Sequence, residues 1–186
     1  MSQKKVLKIL EGKLQKIRLI VFDVDGVLTD GRIYLLGESE ELKAFSNRDA
    51  PRTAVALRSG LKVIWLTARK SAAVERRARE LGVTLIYKHD LKSRKLPFLE
   101  IMHKRFGVRP NEILYVGDDW SDLHLMKQVG LAVTPSNGSS ENKKVAHIIT
   151  NAPGGDGVAA EIIELVMRAQ GTWSRYVGKY LAELIY

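Results

Sequence analysis

The 186-residue chain contains no cysteine. It therefore has no disulfide framework and no thiolate metal site, which fits a reducing compartment. No apolar run approaches the roughly 18 residues that a membrane-spanning helix needs. The opening "MSQKKVLKILEGKLQKI" mixes lysines with apolar residues. It has neither the unbroken apolar block nor the small-residue cleavage site of a secretory signal, so a cytoplasmic location is expected. Aromatic residues make up 7% of the chain, and no basic groove studded with aromatics for stacked bases is evident. Nucleic acid is thus an unexpected partner, although acidic residues are outnumbered, 21 against 30 basic ones, for a net charge of +9. Such a surface attracts anions, including small phosphorylated molecules. The basic clusters "RKSAAVERRAR" and "KHDLKSRK" are short and diluted by apolar helix positions, so most of this charge is expected to be solvated. There is no internal repeat or low-complexity segment.

What the chain does contain is an ordinary globular composition, 45% hydrophobic and 27% charged. The length suits a single domain over residues 1–186. "IRLIVFDV", "LKVIWLT", "VTLIY", "NEILYVGDD", "LAVT" and "HIIT" are short apolar runs that read as strands buried on both faces. Between them lie helical patterns, such as "SAAVERRARELG", opened by Ser71 and closed by Gly82. "WSDLHLMKQVG" reads as a further helix, and "KLPFLEIMHKRFG" as another despite Pro97 in its first turn. Residues 32–45 read as a β-hairpin turning at Gly37. Residues 172–186 form an amphipathic, aromatic tail. Strands alternating with helices predict an α/β fold: a three-layer, Rossmann-like parallel sheet with helices on both faces and a protruding hairpin.

In such sheets ligands bind beyond the carboxyl ends of the strands. Asp23, Thr67 and Asp118 each stand where a buried strand gives out, so three polar groups converge on one edge. Carboxylates crowded together ionise more easily beside a cation. Hard oxygen ligands favour Mg²⁺, which takes a few carboxylates, waters and a substrate phosphate. Lys95, near the start of a helix, could supply balancing positive charge. Singly, each feature has a plainer reading: D-x-D as a turn, Thr67 as a strand end, Lys95 as solvated, and "GDDWSD" as a helix cap. Their order along the chain makes them one constellation.

That constellation resembles the haloacid dehalogenase superfamily of phosphohydrolases, over roughly residues 17–170. "FDVDGVLTDGRIY", "SEELKAF", "LTARKSAAVERRARELGV", "YVGDDWSDLHLMKQVGLAV" and "APGGDGVAAEI" look more narrowly like the capless 3-deoxy-D-manno-octulosonate 8-phosphate phosphatases of lipopolysaccharide sugar synthesis. The resemblance implies that Asp23 is the nucleophile and Asp25 the general acid and base. Asp23, Asp25 (also through its carbonyl) and Asp118 would hold Mg²⁺. Asp122, four residues on and so on the same helix face, would hold metal-bound water or support the site, and Asp119 would do the same. Thr67 and Lys95 would bind the phosphoryl oxygens, with Lys92 a rival for Lys95 because about two extra residues precede it. Gly26 would let backbone N–H groups face phosphate. Arg69, flanked by Ala68 and Lys70, would face a sugar carboxylate, with Arg48 or Arg52 adding an anion contact. The family's D-G-x-G is Asp49-Ala50-Pro51-Arg52 here, its T-G-R-K has Ala68, and its G-G-R-G has Asp156. These departures spare the aspartates and fall in the sugar-binding shell. A nonulosonate 9-phosphate or a 3′-phosphorylated polynucleotide therefore stands as an alternative substrate. With the hairpin in place of a cap domain, a homotetramer is expected, each site covered by a neighbouring subunit.

Overall fold

The computed structural model describes residues 3–36, 40–88 and 98–184. Its centre is a six-stranded sheet. The strands are β1 (Leu19–Asp23), β4 (Lys62–Thr67), β5 (Thr84–Tyr87), β6 (Ile113–Val116), β7 (Leu131–Thr134) and β8 (Ile148–Ile149). All neighbours pair in parallel, in the order β5-β4-β1-β6-β7-β8. A separate antiparallel ribbon joins β2 (Tyr34–Leu36) to β3 (Glu40–Leu42), forming the expected hairpin. Its turn, with Gly37, lies outside the described residues.

Side-chain alternation along the strands builds a core on each sheet face. Ile20, Phe22, Val63, Trp65, Leu114 and Val116 point to one side. Leu19, Val21, Ile64, Leu66, Ile113 and Tyr115 point to the other. The first face is covered by helices α2 (Asp49–Arg58) and α3 (Ala72–Leu81), together with α7 (Val158–Ala169). Against it also pack α1 (Gln3–Leu14) and the tail helix α8 (Trp173–Glu183), the latter through Trp173, Tyr176 and Tyr180. The second face is covered by α4 (Phe98–Phe106) and α5 (Leu123–Met126), with Val145 of α6 (Ser140–Val145) at its margin. No helix among the described residues is long and apolar enough to cross a membrane.

Local signals explain the helix ends. Ser71 caps α3 by accepting the Val74 N–H, and Gly82 closes it in the left-handed region at φ 67°. The helix expected over "WSDLHLMKQVG" is shorter than its pattern. A single 3₁₀ turn, Trp120–Asp122, precedes the four-residue α5. Asp122 is drawn into a buried polar network there, and this tightens the first turn. Asp118 lies before this turn, so Asp118 and Asp122 do not share a helix face.

Candidate active site

The chain order reverses at β1, which has β4 on one side and β6 on the other. This is the position where a parallel sheet opens a crevice. Register sets the residues around it. Asp23 pairs with Leu66, and Phe22 with Val116, so Thr67 and the Gly117-Asp118 turn flank Asp23. Ligand atoms of Asp23, Asp118 and Asp122 lie within 4.8 Å of one another. Asp23 and Asp122 are buried, and Asp118 is half-buried.

Glycines make this approach possible. Gly26 has φ +90°, and a Cβ there would stand 2.0 Å from Asp118 Oδ2. A Cβ on Gly117 would stand 2.5 Å from Asp122 Cβ. The Gly26 N–H donates to Thr29 Oγ1 at 3.4 Å, and the missing side chain makes room for Asp118. The Gly154-Gly155 turn lies directly under this loop, with the Gly155 N–H donating to the Val27 carbonyl at 3.0 Å.

Asp122 is the most tightly held member. Its Oδ2 accepts the N–H groups of Asp118 at 3.0 Å and Asp119 at 3.3 Å. Its Oδ1 accepts from the Tyr115 hydroxyl at 2.7 Å and the Lys88 ammonium at 2.9 Å. Lys88 Nζ also lies 2.8 Å from Asp23 Oδ1. Burial, then the Asp122 charge, pushes the Asp23 carboxyl up to about 8, with Lys88 pulling the other way. Burial, then the charges of Asp122 and Asp119, pushes Asp118 up to about 7. Burial pulls the Lys88 ammonium down, but Asp23 and Asp122 outweigh it and hold its pKa above the usual value. Burial pushes the Tyr115 hydroxyl well up, which keeps it a donor. Among the described residues the three carboxylates are met by one ammonium, Lys88, which leaves surplus negative charge. Three hard oxygen donors at this spacing, with surplus negative charge, fit a small divalent cation.

The remaining expected residues distribute as follows. Asp25 lies apart from the trio, and its Oδ1 accepts from the Lys43 ammonium. Thr67 is buried, its Oγ1 accepting the Arg69 N–H at 3.2 Å. Asp119 caps the 3₁₀ turn by accepting the Trp120 N–H at 2.8 Å. Ala68, Arg69 and Lys70 form an exposed loop after β4, where Arg69 pairs with Glu41 at 3.1 Å. Arg48 lies 3.7 Å from Asp156. Arg48 and Arg52 line a surface groove beside Glu161, Glu164 and Arg168 of α7. Lys92 and Lys95 lie outside the described residues. Sequence reasoning missed Lys88, Lys43 and Tyr115. Lys88 had a signal, since it follows β5 directly, as a strand-end residue on the same edge as Thr67.

Comparison with known proteins agrees with this geometry. A model described as haloacid dehalogenase-like hydrolase matches residues 90–162. The 3-deoxy-D-manno-octulosonate 8-phosphate phosphatase KdsC of Escherichia coli is 38% identical over 159 residues, 86% of this chain and 84% of that protein. Among solved structures, a haloacid dehalogenase subfamily III A hydrolase from Legionella pneumophila superposes with a TM-score of 0.87 at 31% identity, covering 96% of this chain and 97% of that one. A 3-deoxy-D-manno-octulosonate 8-phosphate phosphatase from Moraxella catarrhalis, solved with magnesium, phosphate and the free sugar acid, gives 0.84 at 31% identity, covering 96% and 99%.

Proposed function

The chain belongs to the haloacid dehalogenase-like hydrolases of the 3-deoxy-D-manno-octulosonate 8-phosphate phosphatase family, and from that premise we propose that it is a Mg²⁺-dependent phosphatase of this sugar-acid phosphate, working through an aspartyl-phosphate. The observation that carries the reading is the buried Asp23 at the switch point of the sheet, within 4.8 Å of Asp118 and Asp122.

Asp23, Asp118 and Asp122 would hold Mg²⁺, which when bound offsets the repulsion between a phosphate dianion and a carboxylate. Asp23 Oδ forms a bond to phosphorus as the bond from phosphorus to the sugar oxygen breaks. Asp25 gives its proton to the departing alkoxide. It then takes a proton from the water that attacks phosphorus, and the bond to Asp23 breaks. Lys88 bears positive charge at Asp23 itself, and Lys95, with Lys92 its rival, would bind the phosphoryl oxygens beside it. Thr67 offers a hydroxyl beside Asp23 for a phosphoryl oxygen, and Tyr115 with two backbone amides fixes Asp122. Arg69, already facing Glu41, is the group to which a substrate carboxylate would come.

We propose further that four chains assemble through their hairpins, each covering a neighbour's site, and that the enzyme works in the cytoplasm on lipopolysaccharide sugar precursors. The hairpin supports this, since Tyr34, Leu35, Leu36 and Leu42 are exposed. The test is phosphate release from a panel of 3-deoxy-D-manno-octulosonate 8-phosphate, a nonulosonate 9-phosphate, simple sugar phosphates and 3′-phosphorylated DNA, with Mg²⁺ and with EDTA. The eight-carbon acid should give the highest kcat/KM, only with Mg²⁺, and Asp23→Asn should release none. Preference for another member reassigns the substrate, and full hydrolysis in EDTA contradicts the site.

A further inference from the structure

The hairpin does more than protrude. Residues alternate about β3 and its extension, so Glu41 and Lys43 share one face and Leu42 takes the other. Leu42 is exposed, whereas the Lys43 side chain is 0% exposed. Burying an ammonium costs several kcal/mol unless it is paired. Lys43 is paired twice: it donates to Asp25 Oδ1, and Glu41 Oε1 lies 3.7 Å away. Glu41 is anchored in turn. A hydrogen bond from Ser71 holds its carboxyl below the usual carboxylate range, helped by Lys43 and Arg69, while burial opposes them. Arg69 reaches its Oε2 at 3.1 Å. A chain of charges therefore runs from the loop after β4 through the hairpin to Asp25.

Asp25 is the member of this chain with freedom to lose. It sits on the loop after β1 with a side chain 27% exposed, close in sequence to a cluster that would welcome another carboxylate toward a cation. We propose that Lys43 is a positioning residue: it holds the Asp25 carboxyl apart from the Asp23–Asp118–Asp122 trio, so that Asp25 serves proton transfer and not cation binding. This rests on the assignment of Asp25 as acid and base above. It also makes the placement of the hairpin a determinant of the proton-transfer geometry.

The experiment is a double-mutant cycle of Lys43→Met and Asp25→Asn, with Lys43→Gln as a second variant that keeps a shorter donor. Turnover of 3-deoxy-D-manno-octulosonate 8-phosphate and p-nitrophenyl phosphate is measured with saturating Mg²⁺. Lys43→Met should lower kcat at least about tenfold with KM changed less than about twofold, because general acid–base catalysis is worth about 10²–10⁴ in rate and misplacement forfeits part of it. In the Asp25→Asn background the same change should cost less than about twofold, since contacting residues that act together are not additive. Equal losses in both backgrounds, or full kcat in Lys43→Met, would overturn the proposal. Should Lys43→Met fail to fold, Lys43→Gln is read by the same criteria. Crystal structures of wild type and variant judge the placement without turnover. An Asp25 carboxyl displaced toward Asp118 supports it, and an unmoved one overturns it. A wild type inactive on both phosphates would refute the proposed function while leaving that structural comparison decisive for Lys43.

Discussion

Asp23 carries two demands that conflict at neutral pH. As the proposed nucleophile it must be ionised, yet burial and the adjacent Asp122 charge push its carboxyl up to about 8. A folded-state pKa above the unfolded value means that ionising the group opposes folding as pH rises from 3.8 toward about 8. Asp23→Asn should therefore fold at least as stably as wild type in EDTA at pH 7.5, by thermal unfolding. A cation bound at about 100 times its Kd adds roughly 2.7 kcal/mol. For a chain of this size that corresponds to a rise in Tm of about 5–10 °C in wild type. Asp23→Asn should show most of that rise abolished, and an unchanged Mg²⁺ response would remove Asp23 from the cation site. Asp23, Thr67 and Asp118 are legible in the sequence because each ends an apolar run, and one rule about parallel sheets then gathers them. Lys43 and Tyr115 are not, because their roles rest on pairings between elements that no local pattern encodes. A lysine after an exposed Leu42 looks solvated until the hairpin is folded against the β1 loop.

Periodicity predicts the elements where burial alone shapes them. The strands appear at their apolar runs, and Ser71 and Gly82 mark the ends of α3. The reading falters at Trp120–Met126, where the helical pattern is interrupted because Asp122 turns inward to backbone amides. Another inward carboxylate joins two helices. Asp49, in the first turn of α2, accepts the Ala160 N–H of α7 at 2.7 Å. Burial raises its pKa to about 6, against the lowering effects of that hydrogen bond and of Arg48, Arg77 and Arg52. The neutral form is thus favoured in the fold. Stability is lost as pH climbs from the unfolded value of 3.8 through about 6, and the full penalty stands above that. The displacement corresponds to at most about 3 kcal/mol. Asp49→Asn keeps an oxygen to accept from Ala160 and removes the charge. Its Tm should exceed that of wild type at pH 8, with the gap closing toward pH 4. A variant less stable than wild type at pH 8 would show that the ionised carboxylate contributes more than its burial costs.

At the scale of the whole molecule, the apolar side chains of the hairpin remain without cover among the described residues. In a strand facing a core, alternate residues are buried, yet Tyr34, Leu35 and Leu36 of β2 are all exposed, Leu35 by 74%. A two-stranded ribbon is marginal alone, and its open edges invite pairing with another copy. Closed symmetric assembly buries such edges without propagating into fibres. In the proposed assembly the site would benefit too, since an open crevice neither excludes water nor grips a sugar, and a neighbour's surface would do both. Leu35→Lys places a charge in that apolar contact, on a residue remote in sequence from the aspartates. It should convert the proposed tetramer to smaller species in light scattering coupled to size exclusion. The change should lower kcat/KM for the sugar-acid phosphate about tenfold or more, equivalent to roughly 1.4 kcal/mol of lost transition-state binding. Hydrolysis of p-nitrophenyl phosphate should fall much less, because its aryl group leaves readily and draws little on contacts beyond the phosphate. A monomeric wild type would refute the assembly. An intact tetramer in Leu35→Lys would move the interface off the hairpin. Equal loss on both substrates would mean that the neighbour supports the reacting groups themselves, with Lys43 at the base of the same hairpin as the path for that effect.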